Sequence, residues 1–289
     1  LAGADYTMGR EGRDEYDESA APEKADKMTM GSSVQWYSVE EDQPVSFPVF
    51  QYGIVFNDTN SERVTMGEWT WETGMNFDQI NDFERIRDYG LLVVFSNWSA
   101  LKNHIPATKK EFGNRRLEWV AYVAGKRESR RLLGDLILRE QDITDYIIYP
   151  DASAPTTWTI DLHYPDPENS QFFPGMEFKS IAVHKKIHPY PIPYRCLYSR
   201  NIDNLFMAGR NISVTHVALG TVRVMRTTGM MGEVVGMAAS VAKKYEPNPR
   251  EVYQNHLREL KVILETGVGR YGVENMQNYN EGGSLGPKE

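Results

Sequence analysis

The sequence predicts a mixed α/β (α+β) fold, and three segments carry this prediction. Polar and apolar side chains alternate over residues 156–163, which is typical of a strand with one buried face. A short apolar run, 205–208, ends at Gly209, which is the pattern of a buried parallel strand followed by a sharp turn. The segment 221–244 is apolar nearly all round and predicts a long helix buried within a large domain.

The same periodicities predict the remaining elements in chain order. These are antiparallel strands within 34–55, a helix over 78–103 that Gly90 could divide, a buried strand over 117–124, an alternating strand over 178–187, an amphipathic helix over 249–265 and a polar tail from 275. Residues 1–42 carry eleven acidic and four basic side chains, which predicts a solvated acidic segment.

Length and composition indicate a folded protein with one large domain or two small ones. The chain has 289 residues, of which 40% are hydrophobic and 25% charged. Its net charge of −8 has the wrong sign for phosphate backbones, so nucleic acid is not an expected partner. No stretch of about 18 apolar residues predicts a membrane span, and a signal peptide pattern is missing. Both a cytoplasmic and a bacterial periplasmic location stay open.

Three local patterns argue against a redox thiol, a metal site and a dinucleotide fingerprint. Cys196 lies in an alternating apolar context, which predicts a buried structural thiol. His184 and His188 share a strand face, but no third ligand accompanies them, so no metal is expected. A Gly-x-Gly-x-x-Gly string at 267–272 follows a helix rather than a strand. Gly267 is therefore expected to end that helix.

Residues 204–241 have the order strand, glycine, polar loop and buried helix, which would suit one half of a flavin site. The N–H groups at a helix start carry partial positive charge, and Arg223 would add to it. The alternative is an ordinary buried strand–helix unit of an α/β protein. Small residues at helical spacing predict a flat face that a neighbouring strand or a flat ligand approaches: Gly229, Gly232, Gly236 and Ala239.

Several stretches also carry a family resemblance. They are Asn204–Ser213 (NLFMAGRNIS), Ala218–Val224 (ALGTVRV) and Gly232–Ala239 (GEVVGMAA), with Arg127–Arg131 (RESRR), Trp158–His163 (WTIDLH), Ile192–Arg195 (IPYR) and the opening Ala2–Ala4 and Gly9–Glu11. Together they resemble bacterial FAD-dependent oxidoreductases, glutathione-reductase-like proteins often labelled xanthan lyases. The resemblance covers most of the chain up to about Ile263.

This resemblance implies FAD as the cofactor and two groups of residues along it. Near the ribityl and pyrophosphate part it places Gly209, Arg210, Asn211 and Ser213. Near the isoalloxazine it places Gly220, Thr221, Val222 and Arg223.

The resemblance also implies a domain plan. Residues 1–30 would be a remnant of the FAD domain with its acidic loop, 31–195 a β-rich substrate domain, 196–265 the C-terminal part of a glutathione-reductase-like FAD domain, and 266–289 a polar tail. The family's N-terminal glycine-rich segment, which holds the ADP half of FAD, has no counterpart here. Because the chain also begins with Leu1 rather than Met, we expect a processed chain or a fragment of a longer enzyme.

Oxidation of an alcohol by flavin needs a base for the hydroxyl proton. His216 lies in the loop that the resemblance places beside the flavin, and His163 lies on the polar face of a strand, where Asp161 could orient it. The alternative for each histidine is a structural role. Arg130 and Arg195 could bind a substrate carboxylate, or could form structural salt bridges.

The expected function is an FAD-dependent oxidoreductase that takes a hydride from a small polar substrate, with a sugar or sugar acid favoured. One alternative is a carbohydrate-binding or glycosidase-like protein in which Asp161 and Glu118 form a carboxylate pair. Another is a non-catalytic fragment without cofactor. The sequence does not indicate an oligomeric state.

Overall fold

The computed structural model describes residues 2–170 and 175–267. Its strands are β1 (Tyr6–Thr7), β2 (Ser32–Ser33), β3 (Trp36–Glu40), β4 (Met66–Gly67), β5 (Arg115–Val120), β6 (Gly125–Lys126), β7 (Arg131–Leu132), β8 (Ala152–Thr156), β9 (Ile160–Pro165), β10 (Ser180–Lys185) and β11 (Tyr190–Pro193). Its α-helices are α1 (Arg13–Tyr16), α2 (Phe83–Ser99), α3 (Pro106–Phe112), α4 (Glu140–Thr144), α5 (His216–Val222), α6 (Met225–Tyr245) and α7 (Pro249–Thr266). A mixed helix and strand content is therefore confirmed.

The chain forms two compact units. The first unit contains the described parts of Leu1–Lys27, Ser129–Leu162 and Val183–Glu289, and the second contains Met28–Glu128 and His163–Ala182. Residues 129–162 and 183–195 group with the first unit, whereas the domain plan implied by the resemblance places them in the substrate domain. That plan stays a prediction.

In the first unit, short antiparallel pairs join distant parts of the chain. Strand β1 pairs with β7, and β8 pairs with β11. Leu138 and Val214 form an isolated parallel bridge. The helices α6 and α7 pack together, and α6 also packs on β8. Asn248 caps α7 and Gly267 ends it at a positive φ of 71°, so the prediction for this helix and its terminal glycine is confirmed.

In the second unit, an aromatic core lies between helix α2 and a three-stranded antiparallel sheet of order β4–β3–β5. The rings of Trp36 and Trp98 meet edge to face with centroids 5.6 Å apart, and those of Trp71 and Phe178 with centroids 5.7 Å apart. Helix α2 passes through Gly90 without a break. A Cβ at Gly90 would lie 2.6 Å from Cγ2 of Val34, so the absence of a side chain there lets Val34 pack against the helix. The glycine admits a neighbour rather than dividing the helix.

Three predictions for local structure are wrong. Residues 205–208 do not form a parallel strand: Phe206 makes only an isolated antiparallel bridge to Tyr198. The stretch 156–163 breaks at 157–159, so β8 and β9 are separate strands. The segment 117–124 is not a buried strand, because β5 ends at Val120 and lies at an edge of its sheet with Arg116, Glu118 and Trp119 exposed.

The predicted helix 221–244 is also revised. Helix α5 begins earlier, at His216, and α6 begins at Met225, so the polar loop is shorter than predicted. Helix α6 is not buried all round. Its buried side chains lie on one face, whereas Gly229, Gly232 and Gly236 are exposed on the other.

Burial raises the pKa of the Cys196 thiol well above its ordinary value, as expected for a structural cysteine. Within 2–170 and 175–267, no three His, Cys, Asp or Glu side chains group closely enough to hold a metal ion. None of the helices in the same residues combines the length and apolar character needed to cross a membrane.

Candidate functional site

Two carboxylates anchor the start of α5 in the first unit. The hydroxyl of Thr215 caps this helix by accepting the N–H of Ala218 at 3.2 Å, and donates to Oε1 of Glu18 at 2.6 Å. Oε2 of Glu11 accepts the N–H of His216 at 2.8 Å. Both glutamates are buried, so the acidic N-terminal segment is not wholly solvated as predicted. Part of it positions the helix.

Glu18 has an unusual protonation equilibrium. Burial raises the pKa of its carboxyl to about 7, and the nearby charges of Glu11 and Glu140 act in the same direction. Hydrogen bonds from Thr215 and from the backbone N–H of Glu140, at 2.7 Å, oppose this rise in pKa. The anchor of α5 therefore titrates near neutral pH.

The predicted isoalloxazine residues Gly220 and Thr221 are packed against the protein itself. A Cβ on Gly220 would lie 2.8 Å from the backbone nitrogen of Asp161, so this position accepts no side chain. The hydroxyl of Thr221 donates to the carbonyl oxygen of Trp158 at 2.5 Å and contacts the hydroxyl of Thr156 at 2.8 Å. These residues hold α5 against the turn between β8 and β9.

Arg223, which the resemblance places beside the isoalloxazine, forms a buried ion pair. Its NH2 group donates to Oδ2 of Asp161 at 2.8 Å, and each side chain is 10% exposed. Asp161 also accepts a hydrogen bond from Nε1 of Trp158 at 3.4 Å. The structure thus gives Asp161 an arginine as partner. Val222, the fourth predicted residue of this group, is fully buried.

The residues predicted beside the ribityl and pyrophosphate part lie in the loop before α5. Gly209 has a φ of 109°, a conformation that favours glycine. Arg210 is exposed and Asn211 half-buried. The hydroxyl of Ser213 is buried, and it has no hydrogen-bond partner in the described part of the chain. A buried hydroxyl without a partner is the kind of group that a ligand can satisfy.

Two predicted catalytic residues also belong to the first unit. His216 is 2% exposed, and its burial favours a structural role over direct contact with a substrate. The guanidinium of Arg130 lies over the ring of Tyr6, with its Cζ 4.8 Å from the ring centroid. Arg195, the other predicted substrate cation, instead makes a two-pronged ion pair with Asp151.

The third predicted catalytic residue, His163, lies in the second unit on β9. Its Nδ1 is 2.5 Å from Oε2 of Glu72 and 3.1 Å from the hydroxyl of Ser180. Ser180 itself donates to the same Glu72 oxygen at 2.7 Å. The other oxygen of Glu72 accepts the N–H of Gly31 at 2.7 Å. The His163 side chain is 12% exposed, whereas that of Glu72 is buried.

Glu72 stays ionised despite its burial. Burial alone would raise its pKa, but the charge of Arg127, the hydrogen bond and charge of His163 and the hydrogen bond from Ser180 together lower it to about 2. An ionised carboxylate on Nδ1 holds the proton on that nitrogen, which makes Nε2 the basic atom of the ring. This arrangement orients a base.

Sequence reasoning found His163 but missed the residues that hold it. Glu72 and Ser180 are far from it along the chain, and the pattern around His163 suggested Asp161 instead. One signal was present: Glu72 is a lone carboxylate between Trp71 and Thr73, all three of which are buried. A charged residue in such a run has to find partners inside the protein.

Comparison with known proteins adds an independent finding. A family model described as FAD dependent oxidoreductase matches residues 1–262. The chain belongs to this family. No curated protein and no solved structure matches the chain significantly. FAD is therefore the expected cofactor of this oxidoreductase family member.

The first unit has features that fit FAD. No side chain caps the start of α6 at Val224, so the N–H groups of its first turn can donate to an anionic or carbonyl oxygen. A Cβ on Gly229, Gly232 or Gly236 would meet no atom of residues 2–170 and 175–267 within 4 Å, so a flat group can lie against this face. The buried Ser213 hydroxyl adds a donor. These groups, with the loop at 209–215, would hold the cofactor.

Proposed function

We propose that this family member oxidises a hydroxyl group of a small polar substrate, with His163 as the base. The observation that carries the proposal is the 2.5 Å contact between Nδ1 of His163 and the carboxylate of Glu72. A half-buried imidazole with one nitrogen held by an ionised carboxylate is equipped to accept a proton through the other. Family membership supports the redox half of the reaction.

The chemistry divides between cofactor and protein. When bound, FAD supplies the two-electron acceptor that oxidation of an alcohol requires. The substrate carbon loses a hydride and its hydroxyl loses a proton, so that the C–O single bond becomes a carbonyl. Nε2 of His163 takes the hydroxyl proton, and Glu72 stabilises the imidazolium that forms. Ser180 keeps the Glu72 oxygen in place through its hydrogen bond.

A sugar or sugar acid is the substrate class that we propose. Such molecules carry secondary hydroxyl groups of the kind this base would deprotonate. The sequence motifs also resemble those of proteins often labelled xanthan lyases, a label that refers to a polysaccharide. We propose a small molecule rather than nucleic acid as the substrate because the chain has a net charge of −8.

Anaerobic reduction of bound flavin tests this proposal. Purified protein is loaded with FAD, freed of excess, and mixed with a panel of aldoses, aldonates and uronates while the visible absorption is followed. We expect at least one compound to bleach the flavin, about 100-fold more slowly in His163→Asn. His104→Asn is the matched control, because His104 is an exposed histidine of the same unit. Flavin that no compound bleaches would contradict the substrate class, and an unimpaired His163→Asn would contradict the base.

The glycosidase-like alternative finds less support. It paired Asp161 with Glu118, but Asp161 is bound by Arg223 and Glu118 by Arg116. Both carboxylates are thus engaged by arginines, which favours a structural role for each over the acid and base roles of a glycosidase pair. Retention of flavin by the purified protein would separate the two functions.

A further inference from the structure

An open surface depression of about 410 Å³ lies in the second unit, and neither Glu72 nor His163, which the proposed reaction uses, is among the residues that line it. Its lining residues are Glu62, Met66, Glu68, Trp69 and Thr70. Trp69 and Met66 are apolar yet 60% and 55% exposed. Adjacent large apolar side chains that are exposed and bordered by polar groups are typical of ligand-binding surfaces.

An aromatic row continues this surface across the sheet. Met66 on β4, Tyr37 on β3 and Trp119 on β5 occupy directly opposite positions on the three strands. The rings of Tyr37 and Trp119 stack with centroids 5.9 Å apart and planes inclined by 28°. Tyr37 is 39% and Trp119 46% exposed. Opposite positions on adjacent strands point to one face, so the depression opens beside a flat aromatic platform.

The charges in the depression distinguish between possible ligands. Its carboxylates, Glu62 and Glu68, would by themselves favour a cation. However, Glu62 already forms an ion pair with Lys179, and the guanidinium of Arg127 lies 5.4 Å from the ring centroid of Trp69. The two cations occupy the positions that a ligand ammonium would take. A neutral ligand with many hydroxyl groups fits better, because it can donate to carboxylates and accept from the ammonium.

We propose that this depression and the adjoining aromatic row bind a neutral saccharide chain. The apolar face of one sugar ring would pack on Trp69, and its hydroxyl groups would donate to Glu68 and Glu62 and accept from Lys179. Neighbouring rings of the same chain would lie along Met66, Tyr37 and Trp119. Such a site would bind an oligosaccharide more tightly than a monosaccharide. It requires no cofactor and no turnover, so it stands apart from the proposed oxidation.

Calorimetric titration of the full chain without FAD tests the site, with cellohexaose and maltohexaose as probes and glucose and choline as comparators. We expect one hexasaccharide to bind and to lose about tenfold or more in affinity in Trp69→Ala. Tyr52→Ala is the matched control, because Tyr52 is a 91% exposed aromatic residue outside the depression. Its affinity should equal that of the parent.

Two further variants keep the test decisive. Trp69→Phe retains a ring and should recover part of the affinity, which separates stacking from a folding defect. Glu68→Gln keeps an acceptor oxygen and should weaken saccharide binding only a few-fold. The proposal is overturned if neither hexasaccharide binds, if Trp69→Ala binds as well as Tyr52→Ala, or if choline binds in a manner that depends on Glu68. Flavin reduction is read separately, so its failure would leave these outcomes unchanged.

Discussion

Oε2 of Glu72 lies 2.5 Å from Nδ1 of His163 and accepts a hydrogen bond from Ser180 as well. The carboxylate is buried but ionised, because Arg127 and the two hydrogen-bonding partners outweigh the cost of burial. Gly31 makes the arrangement possible, since a Cβ there would lie 2.7 Å from Cγ of Glu72. A glycine, a serine and an arginine from separate parts of the second unit thus fix one imidazole.

Replacement of Glu72 by glutamine should change the pH dependence of flavin reduction. The amide can donate to Nδ1, which would shift the ring proton to Nε2 and remove the base. We expect kcat to fall by about 100-fold or more with little change in KM, measured by stopped-flow reduction across pH 5 to 9. Glu72→Asp should recover part of the rate.

The control for this experiment is Glu111→Gln, an exposed glutamate of the same unit. A structural role alone would lower the stability of Glu72→Gln without moving its pH–rate profile. A profile identical to that of the parent enzyme would therefore contradict the positioning role of Glu72.

The periodicity of the sequence predicted those elements whose structure is determined by residues close together in the chain. The amphipathic helix α7 was found because its apolar spacing and its terminal Gly267 lie within one segment. The Glu72–His163 pair could not be found in this way, because the two residues are 91 positions apart. Asp161 was expected to orient His163 because the two residues are two positions apart on one strand face, yet the guanidinium of Arg223 binds the carboxylate of Asp161.

Composition misled the prediction for α6 in a similar manner. Its small and apolar residues suggested burial on every side, but in the described structure the glycine face is exposed. Apolar composition shows which residues can be buried, whereas tertiary packing determines which of them are buried. The acidic N-terminal segment shows the reverse, because Glu11 and Glu18 are charged types that the fold buries.

Glu18 should make the protein less stable as the pH rises towards neutrality. Its folded pKa of about 7 lies above its ordinary value of 4.5, so between these pH values the folded state holds a proton that the unfolded state has released. Stability from this group is complete below pH 4.5 and is lost as the pH rises to about 7. Glu18→Gln should remove this loss and stabilise the protein at pH 8 by about 1 to 3 kcal/mol relative to its effect at pH 5.

Urea unfolding at pH 5 and pH 8 measures the effect of Glu18→Gln. Glu23→Gln is the control, because Glu23 is an exposed glutamate of the same N-terminal segment. A variant that loses equal stability at both pH values would show that Glu18 acts only through its hydrogen bonds with Thr215 and the Glu140 backbone.

The stability effects of Arg223 and Asp161 should be coupled, so that removing the second partner of the ion pair restores part of the stability lost on removing the first. Arg223→Ala leaves a buried carboxylate without its arginine, at an expected cost of about 3 kcal/mol. Adding Asp161→Asn should restore at least 1 kcal/mol, roughly the coupling expected for a contacting pair. Urea unfolding of the four proteins completes the cycle. A stable Arg223→Ala that has lost FAD affinity would instead show that the arginine acts on the cofactor.

Two glycines of adjacent helices should respond oppositely to alanine. In Gly220→Ala the new Cβ meets backbone atoms of Asp161 at 2.8 and 3.1 Å, and backbone cannot move aside as a flexible side chain can. We expect a loss of about 1 to 3 kcal/mol of stability. In Gly229→Ala the Cβ enters open space on α6, where alanine is favoured over glycine in a helix by about 1 kcal/mol.

The same pair of glycine variants tests what the open face of α6 is for. Thermal unfolding without FAD should give a higher Tm for Gly229→Ala and a lower Tm for Gly220→Ala. If the face receives the cofactor, Gly229→Ala should bind FAD more weakly although the protein itself is more stable. A higher Tm together with a lower FAD affinity cannot arise from a general folding defect, because such a defect would lower both the Tm and the affinity. A Gly229→Ala protein that gains stability and keeps its FAD affinity would show that the cofactor does not contact this glycine.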